Sequence, residues 1–308
     1  MTEIKNVCLS GLGAIGSLYG GLLHDASPGV LRVIADRTRI ERYRTEGVTI
    51  NGRPYEFRYV EPGAGGEPAE LILIAVKQHH LSQAMADIRG FVGKDTVIVS
   101  LLNGIASEGI LADAFGEEKI LYAFVVGTDA VREGTHTRYR NPGKIVFGEK
   151  SNKTVTPRVA AVRSLFERAG ITCTVPEDML REQWWKFMLN VGVNQVSAVL
   201  GAPYGAFAAI PEVRELLRDA SAEAVLIAKK SGILLSEKDI DEALRVIGTL
   251  TPEGKTSMLQ DMEAGRKTEV EIFAGTVIEL GERYGVETPV NRTLFRAIRA
   301  RERMNGAG

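Results

Sequence analysis

Val7-Cys8-Leu9-Ser10-Gly11-Leu12-Gly13-Ala14-Ile15-Gly16 is the stretch on which the fold turns. A short apolar run leads into glycines spaced Gly-x-Gly-x-x-Gly, and Ala14 to Leu23 reads as a helix. Gly11 allows a tight turn, Gly13 lets the backbone approach a pyrophosphate, and Gly16 lets helix pack on strand. Leu12, Ala14 and Ile15 complete the loop. The first helical turn supplies unpaired N–H groups and a partial positive charge to a phosphate. The motif alone is weak, and its context strengthens it: a strand before, a helix after, and Asp36 at the end of a second strand, Leu31 to Ala35. The competing reading is a purely structural glycine turn.

Downstream the strand–helix alternation continues. Leu71-Ile72-Leu73-Ile74-Ala75-Val76 and Thr96-Val97-Ile98-Val99-Ser100-Leu101 are continuous apolar runs, the pattern of strands covered on both faces of a parallel sheet. Helical spacing fills Leu81 to Phe91 between them. Further strands are expected at Ile120 to Val126, Lys144 to Phe147 and Ile171 to Val175, with a surface loop at Glu61 to Pro68. From Glu177 the sequence is helical by period, with breaks near Gly201 to Pro211, Gly232, Thr251 to Gly254, Gly265 and Gly285. The expected architecture is α/β: an N-terminal doubly wound Rossmann-type domain over residues 1–176, then an all-α C-terminal domain over 177–308.

In such sheets ligands bind beyond the carboxyl ends of the strands. Asp36 suits ribose hydroxyls and Arg37 an additional phosphate, with Arg39 and Arg42 nearby; a solvated helix start is the alternative for the arginines. Lys77 and Asn103 follow two further strands, where either could equally be a loop polar residue.

Composition removes several classes. A net charge of −1 with scattered basic residues gives no footprint for nucleic acid. No run of about 18 apolar residues exists for a membrane span, and the first 30 residues lack signal-peptide form. Two cysteines, Cys8 and Cys173, fit a reducing compartment, so a cytoplasmic location is expected. The histidines, His24, His79, His80 and His136, show no metal-ligand spacing, and the adjacent rings of His79 and His80 are expected to diverge.

A helix over Trp184 to Asn194 is unexpectedly polar on one side. Lys186, Asn190 and Asn194 recur every fourth residue among apolar neighbours, so they share a face. Buried ammonium and amide groups are costly unless paired, which suggests a small polar ligand; the alternative is that the groups satisfy one another. Further on, Ser257 with Gln260 and Thr268 with Glu271 read as capping boxes that start two helices. Glu269 then falls in the first turn of the second helix, which would continue through Phe273, Val277 and Leu280.

Together these motifs resemble the ketopantoate reductase family over nearly the whole chain. The specific part is the combination of Ala75-Val76-Lys77, Leu102-Asn103-Gly104, Lys186-x3-Asn190-x3-Asn194, and Ser257-Met258-Leu259-Gln260-Asp261 followed by Glu269. The resemblance implies NADPH-dependent reduction of 2-dehydropantoate to pantoate, a step of pantothenate and coenzyme A biosynthesis. It implies that Lys186 is the catalytic lysine and that Glu269 contacts the substrate hydroxyl. Asn190, Asn194 and Ser257 match substrate-binding positions; Lys77 and Asn103 lie beside the nicotinamide, Asn103 also toward substrate. Arg37 matches the basic residue for the NADP phosphate, with NADH the less favoured cofactor, and the resemblance leaves a homodimer open. Tyr204 and Gly254 depart from the pattern, each standing where the family often has asparagine, and so does Asp36 before Arg37. Reduction of a 2-keto acid then has Lys186 as proton donor, oriented by Glu269, with Ser257 on the carboxylate. Two rivals stay open: a reductase of a related 2-keto acid, and a non-catalytic NADP redox sensor.

Overall fold

Strands with no polar face need cover on both sides, and the computed structural model, which describes residues 3–64 and 66–306, supplies it. The chain divides into two units, Met1–Asn103 with Ser107–Met179, and Gly104–Ala106 with Leu180–Gly308. The switch from strands to helices lies three residues beyond the expected Pro176.

Among the described residues the first unit has twelve strands: β1 Val7–Ser10, β2 Leu31–Ile34, β3 Val48–Ile50, β4 Arg53–Tyr55, β5 Arg58–Val60, β6 Ala69–Ile74, β7 Val92–Ser100, β8 Ile120–Thr128, β9 Val131–Glu133, β10 His136–Arg138, β11 Pro142–Gly148 and β12 Cys173–Thr174. Eight form one sheet in the order β12-β11-β8-β7-β6-β1-β2-β5. From β5 to β8 all neighbours are parallel, and β11 runs antiparallel to β8. Counted along this sheet, the parallel part has the doubly wound order 3-2-1-4-5-6, with its switch point between β1 and β6. All residues of β1 and β2 are buried. Helices α1 Ala14–Ala26, α2 Arg37–Glu46, α3 Leu81–Ile88, α4 Ser107–Phe115 and α5 Pro157–Arg168 complete the unit.

Two sequence expectations need amendment. A second, four-stranded sheet, β4-β3-β10-β9, was not foreseen; its strands have three residues each, too short for alternation to show. The strand expected to run to Val76 ends at Ile74, and Lys77 precedes a short 3-10 turn, Gln78–His80. In that turn the His79 and His80 rings do not diverge; their centroids are 4.2 Å apart. The Glu61 to Pro68 stretch is irregular as expected, with Gly65 outside the described residues.

The second unit follows from α6 Met179–Leu200 through α7 Tyr204–Ala209, α8 Pro211–Lys230, α9 Glu237–Gly248, α10 Ser257–Glu263, α11 Thr276–Tyr284 and α12 Pro289–Met304. Its core gathers Phe187, Met188, Val191, Leu217, Ala224, Phe273 and Ile298. Among the described residues no helix is long and apolar enough to cross a membrane.

The glycine loop shows why small residues are required. Gly11 has φ +100°, and a Cβ there would lie 2.8 Å from the Ala75 carbonyl oxygen. A Cβ on Gly16 would overlap the Gly11 carbonyl oxygen. Gly16→Ala should therefore destabilise the protein by about 1–3 kcal/mol or more. Thermal denaturation should show a lower Tm, and an unchanged Tm would mean that the loop can shift aside at no cost.

Candidate functional site

In the first unit the glycine loop and the ends of β2 and β6 meet at one groove. A cavity with about 410 Å³ of empty space, counting its open mouth, is lined by Ser10 at the end of β1, Gly11 and Leu12 of the loop, Ala35 after β2, Arg39 of α2, and Val76 and His80 after β6. Helix α1 starts at this loop with no side-chain cap and no acidic residue in its first turn. Its first N–H groups are therefore free for an anion, and Gly13, whose Cβ would meet only the Ala75 carbonyl at 3.7 Å, leaves room for one. The loop thus fits a dinucleotide pyrophosphate.

Asp36 and Arg37 do not line this cavity. Asp36 is the N-cap of α2, accepting from the Arg39 N–H at 2.8 Å, and its other oxygen pairs with the Arg39 Nε at 3.3 Å. Arg37 is exposed and pairs with Glu41 at 3.1 Å. Arg39 is the basic side chain that reaches the groove, which the sequence named only as a neighbour. Lys77 and Asn103 are half-buried in loops that follow β6 and β7. Beneath the second loop runs a buried chain that sequence reading missed: Ser100 Oγ lies 2.8 Å from Ser107 Oγ, which donates to Glu108 at 3.0 Å.

In the second unit the expected polar face is present. Asn194 Nδ2 donates to Asn190 Oδ1 at 3.1 Å, and both residues are buried. Ser257 Oγ donates to Asn194 Oδ1 at 3.3 Å, and the Met258 N–H reaches the same oxygen at 3.4 Å. These bonds are long, and Ser257 is exposed. Lys186, partly exposed one turn earlier, has its pKa lowered by burial from 10.5 to about 8. No carboxylate contributes to that shift.

The two capping boxes are corrected. Thr256, not Ser257, caps α10, accepting from the Leu259 N–H at 3.1 Å, and the Gln260 amide donates instead to the Lys255 carbonyl. Thr268 does not pair with Glu271. Its N–H and hydroxyl both donate to the fully buried Glu302, at 2.7 and 2.6 Å, while the exposed Glu271 carboxylate pairs with Lys267 and Arg299. Buried Glu269 therefore stands in a turn, followed by a π-helical segment, Glu271–Gly275, before α11 begins. Such segments concentrate at functional sites. Among the described residues no His, Cys, Asp and Glu group could hold a metal ion.

Residues 7–152 match the family described as Ketopantoate reductase PanE/ApbA, and residues 178–302 match its C-terminal counterpart. The chain belongs to the ketopantoate reductase family. A 2-dehydropantoate 2-reductase from Halobacterium salinarum is 28% identical over 302 residues, covering 96% of this chain and 99% of that one. The solved 2-dehydropantoate 2-reductase from Geobacter metallireducens is 25% identical, with TM-score 0.83 and coverage of 96% and 99%. D-mandelate dehydrogenase in a ternary structure with NADH and anilino(oxo)acetate shares the fold, with TM-score 0.86, 20% identity and coverage of 98% and 99%. As in the family at large, the chain is an oxidoreductase that uses a pyridine nucleotide.

For a ketopantoate reductase family member the lowered Lys186 pKa has a stability consequence. The folded value lies below the unfolded one, so the folded state binds the lysine proton more weakly. Wild-type stability is reduced below pH 8 and recovers as pH rises from about 8 to about 10.5. The charged form carries a penalty on the order of 3 kcal/mol, lessened by the solvent that still reaches the residue. Lys186→Met should raise Tm at pH 6–7, and the gain should vanish above about pH 10.5. Urea titrations of both proteins at several pH values measure this; a gain independent of pH would mean that packing, not charge, is responsible.

Proposed function

We propose that the protein reduces 2-dehydropantoate (ketopantoate) to pantoate with NADPH, in pantothenate and coenzyme A biosynthesis, in the cytoplasm. The observation that carries this reading is a lysine whose pKa burial alone lowers to about 8, on one helix face with Asn190 and Asn194. When bound, the reduced nicotinamide supplies a hydride to the keto carbon. Gly11 to Gly16, with the uncapped start of α1, hold the pyrophosphate, and Lys77 and Asn103 border the nicotinamide.

The protein's own side chains handle the proton and the charge. The Lys186 Nζ gives a proton to the keto oxygen as the C–O π bond is lost, leaving a neutral amine that solvent reprotonates. Before transfer, the ammonium stabilises the developing alkoxide. Ser257 holds the carboxylate, and Asn190 and Asn194 exchange their mutual hydrogen bond for bonds to substrate oxygens. Glu269, in its clamped turn, accepts from the substrate hydroxyl.

NADPH is favoured over NADH because Asp36 is engaged as the cap of α2 and paired with Arg39, while Arg37, held only by the exposed Glu41, and Arg42 add positive charge around that strand end. A second reading, reduction of a related 2-keto acid, would show as a higher kcat/KM for another acid than for ketopantoate. A redox sensor would bind the cofactor without turnover.

Steady-state assays of NADPH and NADH oxidation with a panel of 2-keto acids test the reading, and ketopantoate should give the highest kcat/KM. Lys186→Ala should lose at least about a hundredfold in kcat. In the wild type the rate of reduction should fall as pH rises above about 8, because the proton donor is then neutral. Near-normal turnover in Lys186→Ala would assign the proton to another group, and cofactor binding without any turnover would favour the sensor.

Arg37→Ala should weaken NADPH binding far more than NADH binding, measured by fluorescence titration. Equal affinity of the unmutated protein for both would overturn the preference for NADPH.

A further inference from the structure

Tyr204 and Gly254, fifty residues apart, form a single structural element. The Tyr204 N–H donates to the Gly254 carbonyl at 2.9 Å, and the Gly205 N–H to the Pro252 carbonyl at 2.8 Å. A Cβ on residue 254 would lie 2.9 Å from Tyr204 Cδ2 and 3.2 Å from Cε2. The ring therefore occupies space that any other side chain at 254 would need. The same two segments are tied again through Thr256, which donates to Ser197 at 3.1 Å, and Ser197, which donates to the Ala202 carbonyl at 2.6 Å.

This element belongs to the substrate half of the site. Ser257 is three residues beyond Gly254, at most about 10 Å of chain, and it bonds Asn194 on α6. Around it the hydroxyls of Ser197, Thr256 and Ser257 all have partners. The half-buried Tyr204 phenol has none among the described residues. Burial pushes its pKa up, so it stays a neutral donor across the working range.

We propose that Tyr204, seated on the side-chain-free Gly254, reads the far end of the 2-keto acid. Its phenol donates to the substrate's terminal hydroxyl, and its ring packs on the two methyl groups of the branched carbon. The element thereby selects a branched 2-keto acid with a hydroxyl on C4. This rests on the reading of the protein as a reductase of ketopantoate.

The test compares ketopantoate with 3,3-dimethyl-2-oxobutanoate, which keeps the carboxylate, the ketone and the branching but lacks the hydroxyl. The unmutated enzyme should prefer ketopantoate. Tyr204→Phe keeps the ring and should lower kcat/KM for ketopantoate about three- to tenfold, leaving the deoxy substrate unchanged. Gly254→Ala displaces the ring and should remove the same preference, but should remove nothing further in the Tyr204→Phe background. An equal response of both substrates to Tyr204→Phe, or additive loss of preference in the double variant, overturns the proposal while the reductase reading stands. If the unmutated enzyme reduces other 2-keto acids but not ketopantoate, both fall.

Discussion

A lysine ammonium held among the apolar residues of α6 is the constraint on which the second unit depends. Its charge is disfavoured by burial, and no carboxylate offsets that. The helix that carries it must be fixed from behind, and the packing shows how. A Cβ on Gly192 would overlap the Ser221 hydroxyl and lie 2.8 Å from Leu217 Cγ, so α6 and α8 approach closely at that point. Gln195 then donates to the buried Asn291 at 2.9 Å, and Asn291 donates to Glu223 at 2.7 Å. Glu223 also accepts from the first N–H groups of α12. The network ties α6, α8 and α12 together and leaves the opposite face, with Lys186, Asn190 and Asn194, oriented by a rigid back.

The first unit carries a parallel liability. Helices α2, α5 and α10 each have a side-chain cap, and α9 has a capping box. Helix α1, with two buried glycines following Gly16, has neither cap nor first-turn acid. Helices α3 and α7 also lack both, so what distinguishes α1 is the glycine loop that leads into it. A helix start left open where a strand end and a cavity meet is what a bound anion would complete.

Much of this was legible in the sequence, for identifiable reasons. Strands buried on both faces are continuous apolar runs, so β1, β6 and β7 stood out, and the glycine spacing located the turn. The Lys186, Asn190, Asn194 face followed from helical period alone. What escaped was set by partners distant in sequence. Thr268 with Glu271 has the spacing of a capping box, yet packing brings the carboxylate of Glu302, thirty-four residues on, to Thr268 instead. Thr256 took the cap assigned to Ser257 because both adjacent residues have suitable oxygens, and local pattern cannot choose between them. The π-helical turn has no sequence period of its own, and the three-residue strands of the small sheet leave too few positions for alternation. Asp36 as a helix cap was equally hidden, because the same carboxylate serves a cap or a ribose.

Tyr204 and Gly254 show how two departures become one observation in three dimensions. In the sequence each is a missing amide, and each alone only loosens the expectation of what is bound. In the fold the glycine is the condition for the ring's position, so the pair replaces two amides with one aromatic surface and one hydroxyl. That exchange keeps a donor while adding apolar area, which suits a substrate end that is branched and hydroxylated. The reacting end needs a proton donor and an anion anchor whatever the substrate is, and in the proposed reading Lys186 and Ser257 take those parts while the Tyr204–Gly254 element acts only at the far end.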